Sequence, residues 1–88
     1  MSAPLDTLDL RRRRILWRAT HRGFKEMDLI LGGFALAHIE AMSDDELDDL
    51  EAIIDIPDQL LFAWATGQSP VPELQRSALL QDMFDFRS

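Results

Sequence analysis

An all-α chain folded as a compact five-helix bundle with short, antiparallel-type connections is what three features of the sequence predict. Apolar residues recur at spacings of three and four, helix punctuation (Gly23, Ser43 with Glu46, Pro57, Gly67, Pro72) falls between the periodic stretches, and no β-rich alternating run occurs. With 88 residues the chain can bury one hydrophobic core and not two. Residues 1–88 therefore read as a single helical domain, with 1–7 and 85–88 as frayed tails.

The first helix is predicted over Leu8 to Thr20, a stretch without proline or glycine. Its arginines are good helix formers, and Leu10, Trp17 and either Ile15 or Leu16 supply its buried side. Arg11 to Arg14 wrap around most of a turn, so some lie at the edge of the apolar stripe with their stems across it and their guanidinium groups in water. Gly23 marks the end of this helix, since glycine adopts the left-handed C-cap conformation at least cost.

The second run, Phe24, Met27, Leu31, Phe34 and His38 or Ala37, is the most hydrophobic and is expected at the centre. Gly32 and Gly33 each cost about 1 kcal/mol in helix propensity relative to alanine, which a close helix crossing or a kink would explain. Ser43 and Glu46 form a capping box, reinforced by Asp44 and Asp45 in the first turn. Leu47, Leu50, Ile53 and Ile54 then line one side, with Asp48, Asp49, Glu51 and Asp55 opposite. Pro57 and Asp58 open a fourth helix closed by Gly67, with Leu61, Trp64 and Leu60 or Ala65 inward. A proline-containing loop leads to Pro72, the expected first residue of a fifth helix whose apolar side is Leu74, Ala78, Leu79 and Met83, fraying after Phe84.

Charge is strongly polarised. Seven of the nine Lys and Arg residues lie between Arg11 and Lys25, and nine of the sixteen acids lie between Glu40 and Asp58, within a net charge of −7. Two oppositely charged surfaces result, which face each other inside the fold or face partners outside it.

Several function classes find no support. There is no cysteine, hence no disulfide or thiolate metal site. His21 and His38 stand 17 residues apart, and neither has a ligand partner at the i+4 position. No G-x-S-x-G elbow surrounds any serine, and Gly32 and Gly33 lack the strand-to-helix context of a phosphate loop. Neither a metal site, nor a catalytic centre, nor a stably bound cofactor is expected. The longest apolar run, Leu29 to Ala37, has nine residues, where a membrane span needs roughly 18. Together with the absence of a secretory or organellar leader pattern, this predicts a bacterial cytoplasmic protein. The arginine block is the one nucleic-acid-like feature, but the acidic chain without tyrosine favours a protein-docking surface.

The sharpest local feature is Arg22-Gly23-Phe24-Lys25-Glu26 at the first helix junction. A glycine turn there brings Arg22 and Glu26 to one corner, either turned outward as a cation and an anion for a partner or paired with each other as an i,i+4 bridge.

These residues resemble the signature Arg-Gly-x-x-Glu of the succinate dehydrogenase flavinylation factors, the bacterial SdhE and mitochondrial succinate dehydrogenase assembly factor 2 family. Arg22, Gly23 and Glu26 match it. Asp28 matches a frequent acidic position, and the likeness extends through Arg13 to Leu16, Leu31 to Phe34, and Asp58, Leu61, Trp64 and Gly67. His21 stands where arginine is common. The resemblance implies a five-helix, non-enzymatic factor, monomeric when free, that binds the flavoprotein subunit of succinate dehydrogenase and in some organisms that of fumarate reductase. It further implies promotion of covalent FAD attachment to a client histidine, the FAD belonging to the client. Arg22, Gly23 and Glu26 would lie at the interface, flanked by Phe24, Asp28, Arg18 and His21. The alternative from another class is a small regulatory or antitoxin-like protein that binds nucleic acid or a protein through the arginine-rich helix.

Overall fold

Asp9 sets the start of the first helix. Its Oδ1 accepts the backbone N–H of Arg12 at 2.8 Å while Oδ2 pairs with the Arg12 guanidinium at 2.6 Å, so the helix begins at Leu10 rather than Leu8. In the computed structural model, which describes residues 8–86, the chain order is α1 (Leu10–Thr20), α2 (Lys25–His38), α3 (Asp44–Ile54), α4 (Asp58–Ala65) and α5 (Ala78–Asp85). Single 3₁₀ turns follow α2 (Ile39–Ala41) and precede α5 (Glu73–Gln75), and no strand occurs among the described residues. Of the expected tails, 1–7 and 85–88, residues 1–7 and 87–88 lie outside the described residues.

The central position of α2 is as predicted: it packs against α1, α4 and α5, while α3 closes the bundle against α1 and α5. One continuous core results, built from Ile15, Leu16 and Ala19 of α1, Met27, Leu31, Phe34 and Ala35 of α2, Leu47, Leu50, Ile53 and Ile54 of α3, Leu61 and Trp64 of α4, and Leu79, Leu80 and Met83 of α5. The capping box of α3 forms in both directions, Ser43 Oγ accepting from Glu46 N and Glu46 Oε1 from Ser43 N.

Besides the start of α1, the structure corrects the expected facing and bounds of the helices at four places. Leu10 and Trp17, expected inward, are 54% and 60% exposed, because Ala19 joins Ile15 and Leu16 to define the buried face of α1. Ala37 and His38 are also exposed, the inward place on that turn of α2 going to Ala35. The last helix starts at Ala78: Ser77 Oγ caps the N–H of Leu80 at 3.0 Å, so Pro72 opens only a 3₁₀ turn and Leu74 is left 98% exposed. Finally, α5 is one residue longer than expected. It continues to Asp85, and the Phe86 ring meets Phe34 and His38 edge-on at 5.8 and 5.7 Å.

Of the two explanations for the paired glycines, close crossing is the one realised. A Cβ at Gly32 would come within 3.0 Å of Thr20 Cγ2 and 3.2 Å of the Ala19 carbonyl, so the missing side chain is what lets α1 and α2 touch. At Gly33 a Cβ would make an ordinary 3.5 Å contact with Phe86.

Gly32→Ala is therefore expected to destabilise the fold by about 1–3 kcal/mol despite its better helix propensity, whereas Gly33→Ala should gain up to about 1 kcal/mol. Urea midpoints of the two variants check the contrast. Asp9 carries an acid dependence: the bond from Arg12 N holds its carboxyl below the ordinary value, aided by the Arg12 side chain. Its contribution is complete above the unfolded carboxylate pKa, about 4, and is lost as the pH falls through the lowered folded value. Asp9→Asn keeps a capping oxygen without the titration, so its stability should fall less between neutral and acid pH, as followed by circular dichroism.

Candidate functional site

The α1–α2 corner is built by tying off one helix and starting another at a sharp angle. Thr20 Oγ1 donates back to the Leu16 carbonyl at 2.9 Å. His21 Nδ1 lies 2.9 Å from the Trp17 carbonyl, so that nitrogen carries the hydrogen. The imidazole rests on the indole of Trp17, with centroids 4.5 Å apart and planes 10° from parallel. Gly23 then adopts φ +78°, reversing the chain into α2, and a Cβ there would meet nothing within 4 Å. The requirement for glycine is torsional and not spatial.

Arg22 does not turn outward, and it does not pair with Glu26. Its side chain is only 8% exposed and reaches across the molecule: Nε donates to Asp58 Oδ1, Nη1 to the Ile54 carbonyl and Nη2 to the Ile56 carbonyl, the last two at 2.9 Å each. These carbonyls belong to the end of α3 and the turn after it, where helical partners have run out. Asp58 is the first residue of α4, where a carboxylate is favoured by the helix N-terminus. One planar fork thus satisfies three acceptors, a geometry a lysine cannot reproduce. The backbone N–H of the same arginine donates to Asp28 Oδ1 at 2.7 Å, fixing the turn to the first part of α2.

The remaining predicted residues divide by direction. Glu26 is exposed in the first turn of α2 and has no hydrogen-bond or ion-pair partner among the described residues. His21 is also exposed. Phe24, in contrast, is half-buried against Phe62 at 5.2 Å between centroids, and Asp28 is half-buried on the turn. Arg18 bonds Asp55 at 2.6 Å while staying 44% exposed. Arg22, Phe24 and Asp28 hold the corner, and Glu26 and His21 are what it displays.

Two participants escaped the sequence reading in their roles. Asp58 lies 36 residues from Arg22, and only the segregation of acids from bases hinted that the two segments pair across the fold. Trp17 looked like core, although Ile15, Leu16 and Trp17 are consecutive and cannot all face one side; Ala19, in step with the first two, decides the face. A small recess lined by Trp17, Arg18, His21, Arg22, Ile54 and Asp58 joins the end of α1 to the α3–α4 turn. Among the described residues no group of three or more His, Asp or Glu side chains is placed to hold a metal ion, and no helix is long and apolar enough to cross a membrane.

Fold and corner together define a small helical-bundle protein with a braced corner that exposes Glu26 and His21. The chain belongs to the family described as flavinator of succinate dehydrogenase, whose model matches residues 13–87. Its relatives bear the names of assembly factors. The chain is 41% identical over 80 residues to the FAD assembly factor SdhE of Acetobacter pasteurianus, covering 91% of this chain and 73% of that protein. It is 35% identical over 85 residues to the mitochondrial succinate dehydrogenase assembly factor 2 of Candida glabrata, covering 92% and 56%. The corresponding protein of Meyerozyma guilliermondii is 32% identical over 71 residues, covering 77% and 53%. The chain thus spans about half the length of these mitochondrial relatives. No solved structure is a significant match.

The geometry separates the signature residues by experiment. Arg22→Ala leaves a largely buried carboxylate and two carbonyls unpaired, and should cost about 3 kcal/mol in urea unfolding, the lower end for a broken buried pair because Asp58 is partly exposed. Arg22→Lys is expected to recover less than half of that loss. Gly23→Ala should cost about 1–2 kcal/mol from its positive φ alone.

Proposed function

We propose that this chain is an assembly factor that docks its α1–α2 corner on the flavoprotein subunit of succinate dehydrogenase and promotes covalent attachment of FAD there. The observation that carries the reading is Glu26: within a signature whose other members are locked inward or in the turn, it is the charged side chain left exposed and unpartnered. An anion exposed on a corner braced by the Arg22 fork is suited to charge-assisted hydrogen bonds with a partner's donors. The client and the cofactor in this reading are those for which the family and its bacterial and mitochondrial relatives are named.

In this reading the factor works by binding. The flavin supplies the chemistry of its own attachment once ring and client histidine are held in register, and the factor stabilises the client conformation in which they meet. Gly23, Arg22, Asp28 and Phe24 fix the corner, while Glu26 and His21 contact the client. Arg18 remains partly available beside them. The flavoprotein subunit of fumarate reductase is a second client of the same chemistry. The nucleic-acid alternative draws less support, because Arg11, Arg12, Arg18 and Arg22 are already engaged with acids or carbonyls of the chain itself.

Glu26→Ala should leave the urea midpoint within about 0.5 kcal/mol of native and weaken binding to the purified flavoprotein subunit at least about tenfold, the loss expected of one charged hydrogen bond. Glu26→Gln should fall between. Covalent flavin, read as fluorescence of the client band in a denaturing gel, should drop with binding; normal covalent flavin in a strain lacking the factor would overturn the proposal.

A further inference from the structure

The outer face of α1 carries a second feature that the signature does not explain. Leu10, Arg13, Arg14 and Trp17 recur at helical spacing along it, and His21 extends the line by stacking on Trp17. The stripe from Leu10 to Trp17 is about 10 Å long at the helical rise. Leu10 and Trp17 are more than half exposed. The arginines around them are consumed internally: Arg11 by Asp48 and Glu51, Arg12 by Asp9 and two carbonyls, Arg18 by Asp55, Arg22 by Asp58. Arg13 and Arg14 alone in this helix make no side-chain hydrogen bond or ion pair among the described residues, and both are exposed.

We infer that this stripe is a second docking surface, and that it seats on a localised acidic patch with an apolar centre on the folded client protein. The inference rests on the docking function proposed above and extends its contact beyond the corner. Two unspent guanidinium groups beside a leucine and a rigidly stacked indole match that combination of charge and apolar area. The neighbouring surface argues for a bounded patch rather than an extended anionic one. Arg11 binds α3 alongside α1 and Arg18 binds Asp55 just past its end, and that helix exposes Asp44, Asp45, Asp48 and Asp49. A lipid bilayer or a nucleic acid duplex meeting the stripe would also meet those carboxylates and be repelled. A protein with a limited acidic patch need not reach them.

The test is titration of the purified flavoprotein subunit with the full-length chain at several salt concentrations. Vesicles of anionic phospholipid and a mixed-sequence DNA duplex serve as competing ligands. The double variant Arg13→Glu with Arg14→Glu should fold as the native chain does, lose at least about tenfold in affinity at low salt and show a flatter salt dependence. The gentler pair Arg13→Gln with Arg14→Gln should lose less in the same direction. Trp17→Ala should weaken binding with the salt dependence kept. Native affinity and salt dependence in both arginine pairs, with Glu26→Ala still impaired, would overturn this surface while leaving the corner standing. Arginine-dependent capture of the vesicles or the duplex, with the flavoprotein indifferent to the same changes, would overturn the assigned partner. A native chain that fails to bind the flavoprotein at all sinks both readings together.

Discussion

The fork of Arg22 is the interaction on which the architecture turns. It closes the open end of α3, anchors the first residue of α4 and leaves the following glycine at the point where α1 gives way to α2. Two helix ends, the last turn of α3 and the first residue of α4, are thus met by one side chain. Burying a guanidinium is unfavourable unless its donors are matched, and here Asp58 supplies the countercharge and two carbonyls take the other bonds. The corner can be rigid for this reason, and rigidity reduces the ordering entropy lost on association.

The same logic accounts for the polarity of charge along the chain. Basic α1 and acidic α3 lie side by side, with Arg11 and Arg18 bridging between them and Arg12 covering the carbonyls of Ile39 and Met42 where α2 runs into its 3₁₀ turn. Exposed pairs of this kind add little stability individually. Their effect is on the surface: they occupy Arg11, Arg12 and Arg18, and hence decide which charges of α1 remain unpaired outside. Among the described residues no buried side-chain nitrogen or oxygen lacks a partner, as expected when polar cross-links are arranged around an apolar core and not through it.

Much of this was legible in the amino-acid order. The capping box at Ser43, the inner row of α3, the turn at Gly23 and the central place of α2 each follow from local rules, because their determinants lie within four or five residues of one another. What could not be read were relations between distant segments. The direction of Arg22 depends on carbonyls more than 30 residues away, which no periodicity encodes. The facing of Leu10 and Trp17 depended on a choice among neighbouring apolar residues that only packing settles. The start of α5 was misplaced because Pro72 and Ser77 both carry helix-opening chemistry, and the serine won by supplying a bonded cap.

The contrast between the two indoles has an optical consequence. The chain holds two tryptophans and no tyrosine, so its near-ultraviolet emission is dominated by these two rings. Trp64 sits in the core at 9% exposure, where emission is blue-shifted until the chain unfolds, whereas Trp17 at 60% emits from a watery setting and lies against an imidazole able to quench it. Melting moves the first signal and covering α1 moves the second, so one spectrum distinguishes a chain that has come apart from one that has found a companion.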